Sequence, residues 1–344
     1  MTAVIGWDIG GAHVKAARVV DGHVAVAEQV PCPLWLGLGQ LPDAIAALAA
    51  RLGPATRHAA TMTGELADAF ATRAEGVAHI TAALVRTLAP APVRIYAGED
   101  GFIDPTAAEE AAMRVASANW HATARLAARA AGAGLLVDMG STTTDLVPLA
   151  AGAVAAAGYT DAERLACGEL VYTGLVRSAL MALAERVPFA RASVPLAAEY
   201  FATIADCHRL LGTLPEGADQ MPTADGREKS ATAARARLPR MVGRDAAEAE
   251  ADAWRDLAAF FAEAQLRRIE DAARLVLSRV RLPPEAPVLG AGCGRAVTRL
   301  LAARLGRPWQ DFAALPGFAG AAPEAIDQCA PAAAVALLAA DIPC

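Results

Sequence analysis

The chain has 344 residues, of which 55% are hydrophobic and 20% charged, with a formal net charge of −6. That length exceeds one ordinary core and predicts two domains, and the acidic balance argues against non-specific nucleic-acid binding. The apolar stretches are short or broken by Arg, Asp and Gly, so none reads as a membrane span. Cys32, Cys167, Cys207, Cys293, Cys329 and Cys344 are scattered, without a C-x-x-C pair or metal-ligand spacing, and no secretory signal precedes them. They read as reduced, mostly buried thiols of a cytoplasmic protein.

Residues 3–30 predict three strands, Ala3–Trp7, His13–Val20 and His23–Val30, with Asp21-Gly22 as the hairpin signal between the last two. A helix is expected at 41–52 and a strand near 57–62; Thr63-Gly64-Glu65 then opens a helical stretch that resumes from Thr72 to Leu88. Val93–Ala97 reads as a strand, 98–104 as a loop and Pro105 as a helix start. Ser117-Ala118-Asn119 suits the cap of a helix from Trp120 to Ala131, ended by Gly132 and Gly134. The opening pattern then returns, with strands Leu135–Val137, Thr144–Leu149 and Ala153–Ala156 and a turn at Ala151-Gly152, which points to a duplicated supersecondary unit. Residues 168–210 read as mainly helical, Gly217–Lys229 as a surface loop, and Ala246–Arg281 as a long helical pattern with at least one break, ended by Pro283-Pro284. Val288–Gly294 reads as a buried strand entering a Gly-rich turn, followed by helices Arg295–Leu305 and Pro331–Ala340.

Two acidic, glycine-containing turns stand out, Asp8-Ile9-Gly10-Gly11-Ala12 and Asp138-Met139-Gly140-Ser141-Thr142-Thr143-Thr144-Asp145. A strand that ends in Asp, turns through Gly and returns as a strand leaves backbone N–H groups for phosphate oxygens and a carboxylate for hydrated Mg²⁺. Two such turns facing each other would clamp a polyphosphate. Lys15, one of only two lysines in the chain, follows the first turn.

These parts, with Val288–Gly294 as an adenosine-type motif, resemble the superfamily of actin, sugar kinases and the large heat-shock ATPases. That resemblance implies an α/β fold of two ribonuclease-H-like lobes around a cleft. The lobes would be 1–133 and 134–330, with a largely helical insertion at about 160–285 and a C-terminal helix, 331–344, returning to the first lobe. A closer resemblance rests on Asp8–Ala12, Met62–Asp68, Glu75-Gly76-Val77, Ser117-Ala118-Asn119-Trp120, Leu136–Asp145, Leu170-Val171-Tyr172 and Glu199-Tyr200-Phe201-Ala202. These strings resemble the hydantoinase/oxoprolinase-related group linked to tetrahydromethanopterin-dependent one-carbon transfer. Its archaeal members carry Asn where this chain has His13 and His121. The resemblance implies a transferase of methanofuran biosynthesis, which couples an aminomethylfuran methyl diphosphate to the phenol of γ-glutamyltyramine and releases diphosphate.

Such a reaction must neutralise the leaving group, aim the phenol oxygen at the furan CH₂ and accept the phenol proton. Lys15 and the loops, through Gly10, Gly11, His13, Gly140 and the hydroxyls of Ser141, Thr142, Thr143 and Thr144, are the candidates for the first task. Asp8 and Asp145, with Asp138 as a weaker third, are candidates for Mg²⁺ or its water shell. His121, His13, Glu65 and Asp8 are candidate bases; His121 would sit at a helix N-terminus whose dipole favours the neutral, proton-accepting ring. Asn119 and Trp120 are candidates for the acceptor or furan site, and Gly290, Gly292 and Gly294 for substrate contact. Blander roles stand beside these: a helix cap for Asn119, core filler for Trp120, a surface or supporting role for His121, a helix-start residue in Glu65, and strand-to-helix packing for the three late glycines. Tyr172 and Tyr200 read as core or lid residues, and Cys207 and His208 as coincidental. The same loops also suit an ATP-dependent small-molecule kinase or an oxoprolinase-like hydrolase, and ATP is compatible with the transferase without being required by it. A nucleotide-switched, filament-forming protein is the third class. The expected partners are small-molecule substrates, with no nucleic acid and no membrane, and a homodimer is allowed.

Overall fold

The computed structural model describes residues 3–318 and 322–342; the thiol expected of Cys344 lies outside them. The chain divides into two compact units, one of Met1–Leu136, Val147–Arg164 and Gln310–Cys344, the other of Val137–Leu146 and Leu165–Trp309. From sequence only 331–344 is expected to return to the first lobe; here 147–164 and 310–330 group with it as well.

In the first unit, β1 (Ala3–Ile9), β2 (His13–Val20), β3 (His23–Pro31), β4 (Arg57–Met62), β5 (Val93–Tyr96) and β6 (Phe102–Ile103) form a sheet in the order β3-β2-β1-β4-β5-β6. The β1–β2 and β2–β3 pairs are antiparallel, and the β1–β4 and β4–β5 pairs parallel. This is the ribonuclease-H-like order. The β2–β3 turn is set locally: Asp21 and Gly22 both take positive φ, 49° and 79°, as a tight hairpin with right-handed strand twist requires. Helices α1 (Leu41–Leu52) and α2 (Arg73–Leu88) carry the chain from β3 to β4 and from β4 to β5. Their Ile45, Leu48, Val77, Ile80 and Leu84 form one core with Ile5, Trp7 and Ile9 of β1.

The strand period of two sends Gly6 and Asp8 to the other face. After the short α3 (Ala112–Val115), α4 (Asn119–Ala131) is laid down. Following α10 (Pro323–Gln328), α11 (Ala330–Ala340) packs against β1, β2, β4 and α4. Apolar all round, α11 is buried from Ala330 to Ala339. A Cβ at Gly6 would lie 2.0 Å from the Ala332 carbonyl oxygen and 2.7 Å from Ala336 N, so only glycine lets this helix backbone close on the sheet.

The second sheet has the order β10-β8-β7-β13-β14, with β9 also on β8. Its strands are β7 (Gly134–Met139), β8 (Thr144–Ala150), β9 (Ala153–Val154), β10 (Leu170–Val171), β13 (Val288–Ala291) and β14 (Trp309–Asp311). The duplication is visible in the turn itself: the Gly10 N–H donates to the His13 carbonyl at 2.9 Å, and the Gly140 N–H to the Thr143 carbonyl at 2.9 Å. After α5 (Asp161–Cys167), the inserted part of the second unit holds a β11 (Arg186–Phe189)–β12 (Ala192–Pro195) hairpin, α6 (Ile204–Leu211), α7 (Ala231–Arg237) and α8 (Ala251–Arg279); α9 (Arg295–Arg304) follows β13. Val187, Phe189, Leu238, Trp254, Leu257 and Phe261 are its core, with the Phe189 and Trp254 rings stacked at 4.7 Å.

One expectation is corrected. Residues 168–210 are not mainly helical: β10, an extended strap, a short 3₁₀ turn and the β11–β12 hairpin fill 168–203, and only α6, from Ile204, is an α-helix. Short apolar runs such as Leu175-Val176 carry no period that separates strand from helix. The 246–281 pattern does break once, as expected: a separate 3₁₀ turn at Ala246–Glu248 precedes α8, one uninterrupted helix of 29 residues. Gly64–Leu66 is likewise a single 3₁₀ turn.

Gly6→Ala is expected to cost about 3 kcal/mol or more, because its methyl group meets backbone rather than a flexible side chain. Chemical denaturation checks this, and a loss below about 1 kcal/mol would show that α11 is not closed on β1.

Candidate active site

On the first sheet, Asp8 and Lys15 are direct cross-strand partners, and Lys15 Nζ lies 3.6 Å from Asp8 Oδ2. Asp8 is buried; desolvation raises its pKa against the opposing pull of Lys15. Its other oxygen, Oδ1, is buried without a partner, as is Oγ1 of Thr61, the residue in register with Asp8 on β4. Lys15, Asp8 and Thr61 thus form one polar row across three strands. The turn is fixed from outside: the carbonyls of Ala12 and Gly11 accept the Cys32 N–H at 2.8 Å and the Leu34 N–H at 2.9 Å. A Cβ at Gly11 would meet nothing within 4 Å, so the space over Gly11 is open. The Thr63 N–H donates to the Ile9 carbonyl at 3.0 Å, which seats the Gly64–Leu66 turn against the loop.

That turn carries Glu65, only 2% exposed. Its Oε1 accepts the Ser117 N–H at 2.9 Å and the Ser117 hydroxyl at 3.2 Å, while Oε2 is buried without a partner. Burial raises the Glu65 pKa to about 7 against the lowering effect of these bonds and of Arg73. Ser117 holds this position with φ +53°, a conformation that costs a non-glycine residue about 1 kcal/mol. Ser117 Oγ also lies 3.5 Å from Asp161 Oδ2, which pairs with Arg73 at 3.4 Å.

Beside this cluster, Asn119 opens α4. Its Oδ1 accepts the adjacent Trp120 N–H at 2.8 Å, and Ala118 rather than Asn119 stands at the N-cap. Trp120 is buried with the Arg164 guanidinium 3.9 Å from its ring centre. His121 is buried against Trp120, Tyr96 and Tyr159, and its Nδ1 lies 2.9 Å from the Tyr96 hydroxyl. Its pKa falls to about 4, through burial first and then Arg125 and Arg164. The ring is neutral, as expected, but from burial and neighbouring cations; and its Nδ1 is occupied by a tyrosine.

In the second unit, the Gly140 carbonyl accepts the Leu175 N–H at 2.9 Å, and the Ser141 carbonyl accepts those of Val176 at 3.0 Å and Arg177 at 2.9 Å. Gly174 allows this approach, since its Cβ would lie 2.5 Å from Thr142 N. Ser141, Thr142 and Thr143 are half-buried, as are Asp138 at the end of β7 and Asp145 on β8. Thr144 is different: it is fully buried and its hydroxyl donates to the Thr173 carbonyl at 2.7 Å, so it braces the loop instead of serving a phosphate. The late glycines are also corrected to packing positions. A Cβ at Gly290 would meet Thr298 Oγ1 at 2.2 Å and Trp309 Nε1 at 2.6 Å; one at Gly292 would meet the Met139 carbonyl at 2.4 Å; one at Gly294 would meet the Met139 side chain at 2.4 Å. Among the described residues no three carboxylate, imidazole or thiol side chains cluster to hold a metal ion alone. Any Mg²⁺ would therefore depend on water and phosphate oxygens for most of its shell.

A buried polar chain under the second loop is invisible in the sequence. Gln265 Nε2 donates to Thr173 Oγ1 and to the Gly174 carbonyl, both at 2.8 Å, and Gln265 Oε1 lies 3.1 Å from His208 Nε2. His208, which reads as coincidental in sequence, is a structural link. Tyr172 and Tyr200 are not core residues: they are 67% and 44% exposed. Ser117 and Arg164 were also missed as partners of Glu65 and Trp120, because only tertiary contact reveals them.

Paired Asp–Gly hairpin turns, each on a mixed α/β sheet, place the chain in the fold class of actin and the sugar kinases. The sequence pattern of hydantoinase/oxoprolinase matches residues 57–321, and the chain belongs to that family. It is 32% identical over 244 residues to the (4-{4-[2-(γ-L-glutamylamino)ethyl]phenoxymethyl}furan-2-yl)methanamine synthase of Methanocaldococcus jannaschii, covering 70% of this chain and 72% of that one. The protein of the same name from Methanococcus vannielii is 35% identical over 118 residues, covering 34% and 53%. Among solved structures, a nucleotide-free acetone carboxylase is similar with a TM-score of 0.55 and 14% identity, over 88% of this chain and 67% of that one, which speaks to fold alone. Among the described residues, no helix is long and apolar enough to cross a membrane.

Because Glu65 titrates near 7 instead of 4.5, its contribution to stability is complete below pH 4.5 and is lost as pH rises through 7. Glu65→Gln, which cannot ionise, is therefore expected to raise Tm relative to wild type more at pH 8.5 than at pH 5, by an equivalent of at most about 3 kcal/mol. An equal effect at both pH values in a thermal melt would mean that Glu65 titrates normally.

Proposed function

We propose that the protein is a transferase of methanofuran or methylofuran biosynthesis, serving tetrahydromethanopterin-linked one-carbon metabolism in the cytoplasm. It joins an aminomethylfuran methyl diphosphate to the phenol oxygen of γ-glutamyltyramine or a related tyrosine-derived acceptor. The carrying observation is similarity over 70% of this chain and 72% of a synthase whose name describes the aryl ether product. In the reaction the furan CH₂–O(diphosphate) bond breaks, the CH₂–O(aryl) bond forms, the diphosphate leaves with the bonding pair and the phenol loses its proton. The furan ring stabilises positive charge on the CH₂ carbon, so departure of diphosphate can run ahead of bond formation.

Glu65 suits the proton acceptor best. A carboxyl with pKa about 7 is matched to working pH, and Ser117 fixes one oxygen while the other has no partner. Since Oε2 is sealed in the resting structure, acceptor binding must open the Gly64–Leu66 turn. With its Nδ1 on Tyr96, His121 is assigned to packing. The open space over Gly11 suits a phosphate oxygen; on the second loop, Ser141, Thr142 and Thr143 offer hydroxyl and backbone donors to phosphate oxygens. Lys15 acts with Asp8 as a unit, because the two already pair. The unpartnered Oδ1 of Asp8 fits the water shell of Mg²⁺, which would supply charge neutralisation for the leaving group; Asp138 and Asp145 are the carboxylates the second loop itself offers a cation.

The test mixes purified protein, Mg²⁺, the furan diphosphate and γ-glutamyltyramine or tyramine, and follows ether and diphosphate by mass, with and without ATP. Ether and diphosphate in equal amounts without ATP are expected. ADP from ATP with no ether would instead make the protein an ATP-dependent kinase or oxoprolinase-like hydrolase. In the same assay kcat/KM is expected to rise with pH through about 7 and level off, as the base loses its proton. Glu65→Gln should lower it about 10²–10⁴-fold and remove that limb; activity within threefold of wild type would exclude Glu65 as the base.

A further inference from the structure

The two loops share a turn but not a charge. At the place where the first carries Lys15, seven residues after its Asp, the second carries Asp145, so residues 138–145 hold two carboxylates and no cation. A diphosphate on that loop needs positive charge from a segment packed against it.

We propose that Arg177 is a further diphosphate-binding residue, its backbone bonded to the second loop and its guanidinium supplying the cation that the loop lacks. This rests on the reading of that loop as a diphosphate site. The Arg177 N–H donates to the Ser141 carbonyl at 2.9 Å, beside the Val176 N–H at 3.0 Å. Leu175 and Val176 are buried and anchor the strap, whereas Arg177 is exposed. On its other side the strap is pinned again. Ser178 Oγ accepts the Gly174 N–H at 3.0 Å and lies 2.8 Å from Thr173 Oγ1; the Ser178 carbonyl accepts the Ile204 N–H at 2.9 Å. The pinned backbone thus holds an exposed arginine at the Ser-Thr-Thr turn. Among the described residues that guanidinium makes no salt bridge. The half-exposed phenol of Tyr200 stands close enough to feel its charge. A guanidinium fork is shaped for two phosphate oxygens at once, which an ammonium is not.

The experiment is calorimetric titration of the full chain, in Mg²⁺, with inorganic diphosphate. Arg177→Ala, Arg177→Lys and Arg191→Gly are compared with wild type; the last removes one exposed positive charge from the β11–β12 turn, where φ is +64° and glycine fits. Arg177→Ala is expected to weaken binding about tenfold or more and Arg177→Lys by an intermediate factor, while Arg191→Gly stays within twofold. If Arg177→Ala lowers the melting temperature, Arg177→Gln takes its place with the same expectation. Wild-type binding matched by Arg177→Ala or Arg177→Gln would overturn this role and leave the transferase reading standing. No binding by wild type would overturn the diphosphate reading of the loop, and this role with it.

Discussion

A carboxyl group withdrawn from water must find partners or hold its proton, and the first unit is arranged around two such groups. Asp8 and Glu65 are both nearly sealed, and each has one oxygen without a partner. Their solutions differ. Asp8 lies opposite Lys15 across a strand pair, on the face that Gly6 opens to α11. Glu65 makes no ion pair among the described residues; Ser117 supplies two neutral donors, and Arg73, paired with Asp161, acts on it only at longer range. The same chemical group thus faces an ammonium in one setting and neutral donors in the other.

The second unit repeats the turn with different side chains. Lys15 becomes Asp145 and His13 becomes Thr143, while the bond from Gly10 to His13 and its counterpart from Gly140 to Thr143 keep the same length. What differs most is the bracing. The first loop is held by the Cys32–Leu34 segment, the second by the 173–178 strap, which Gln265 and His208 tie to the inserted helices. Duplication preserved the backbone device and left the surroundings free to diverge, so the inserted segment decides which side chains stand at the second loop.

Much of this was legible in sequence where the signal is local. Asp21-Gly22 marked a hairpin because those two residues tolerate positive φ, and the apolar spacing of 41–52 and 72–88 marked helices whose bounds the structure reproduces to within a residue. The strings around Asp8 and Asp138 marked the two turns for the same reason. Where pairing spans distance, sequence was silent. Nothing near Glu65 announces Ser117, 52 positions away, or the burial that moves its pKa. The strap at 173–178 was read as helix because its few apolar residues carry no period, and that misreading hid Arg177. Likewise Gly290, Gly292 and Gly294 look like a ligand-facing run until Trp309, Thr298 and Met139 are seen against them. His121 showed the reverse: its neutrality was expected, but from a helix end and not from burial beside two arginines.

Glu65 is a carboxyl poised between its two protonation states at neutral pH. Carbon-13 NMR titration of the side-chain carboxyls in protein labelled at glutamate tests it without substrate. One resonance should titrate near pH 7 and vanish in Glu65→Gln. If every glutamate titrates below pH 5, Glu65 is a buried structural residue with no part in proton transfer.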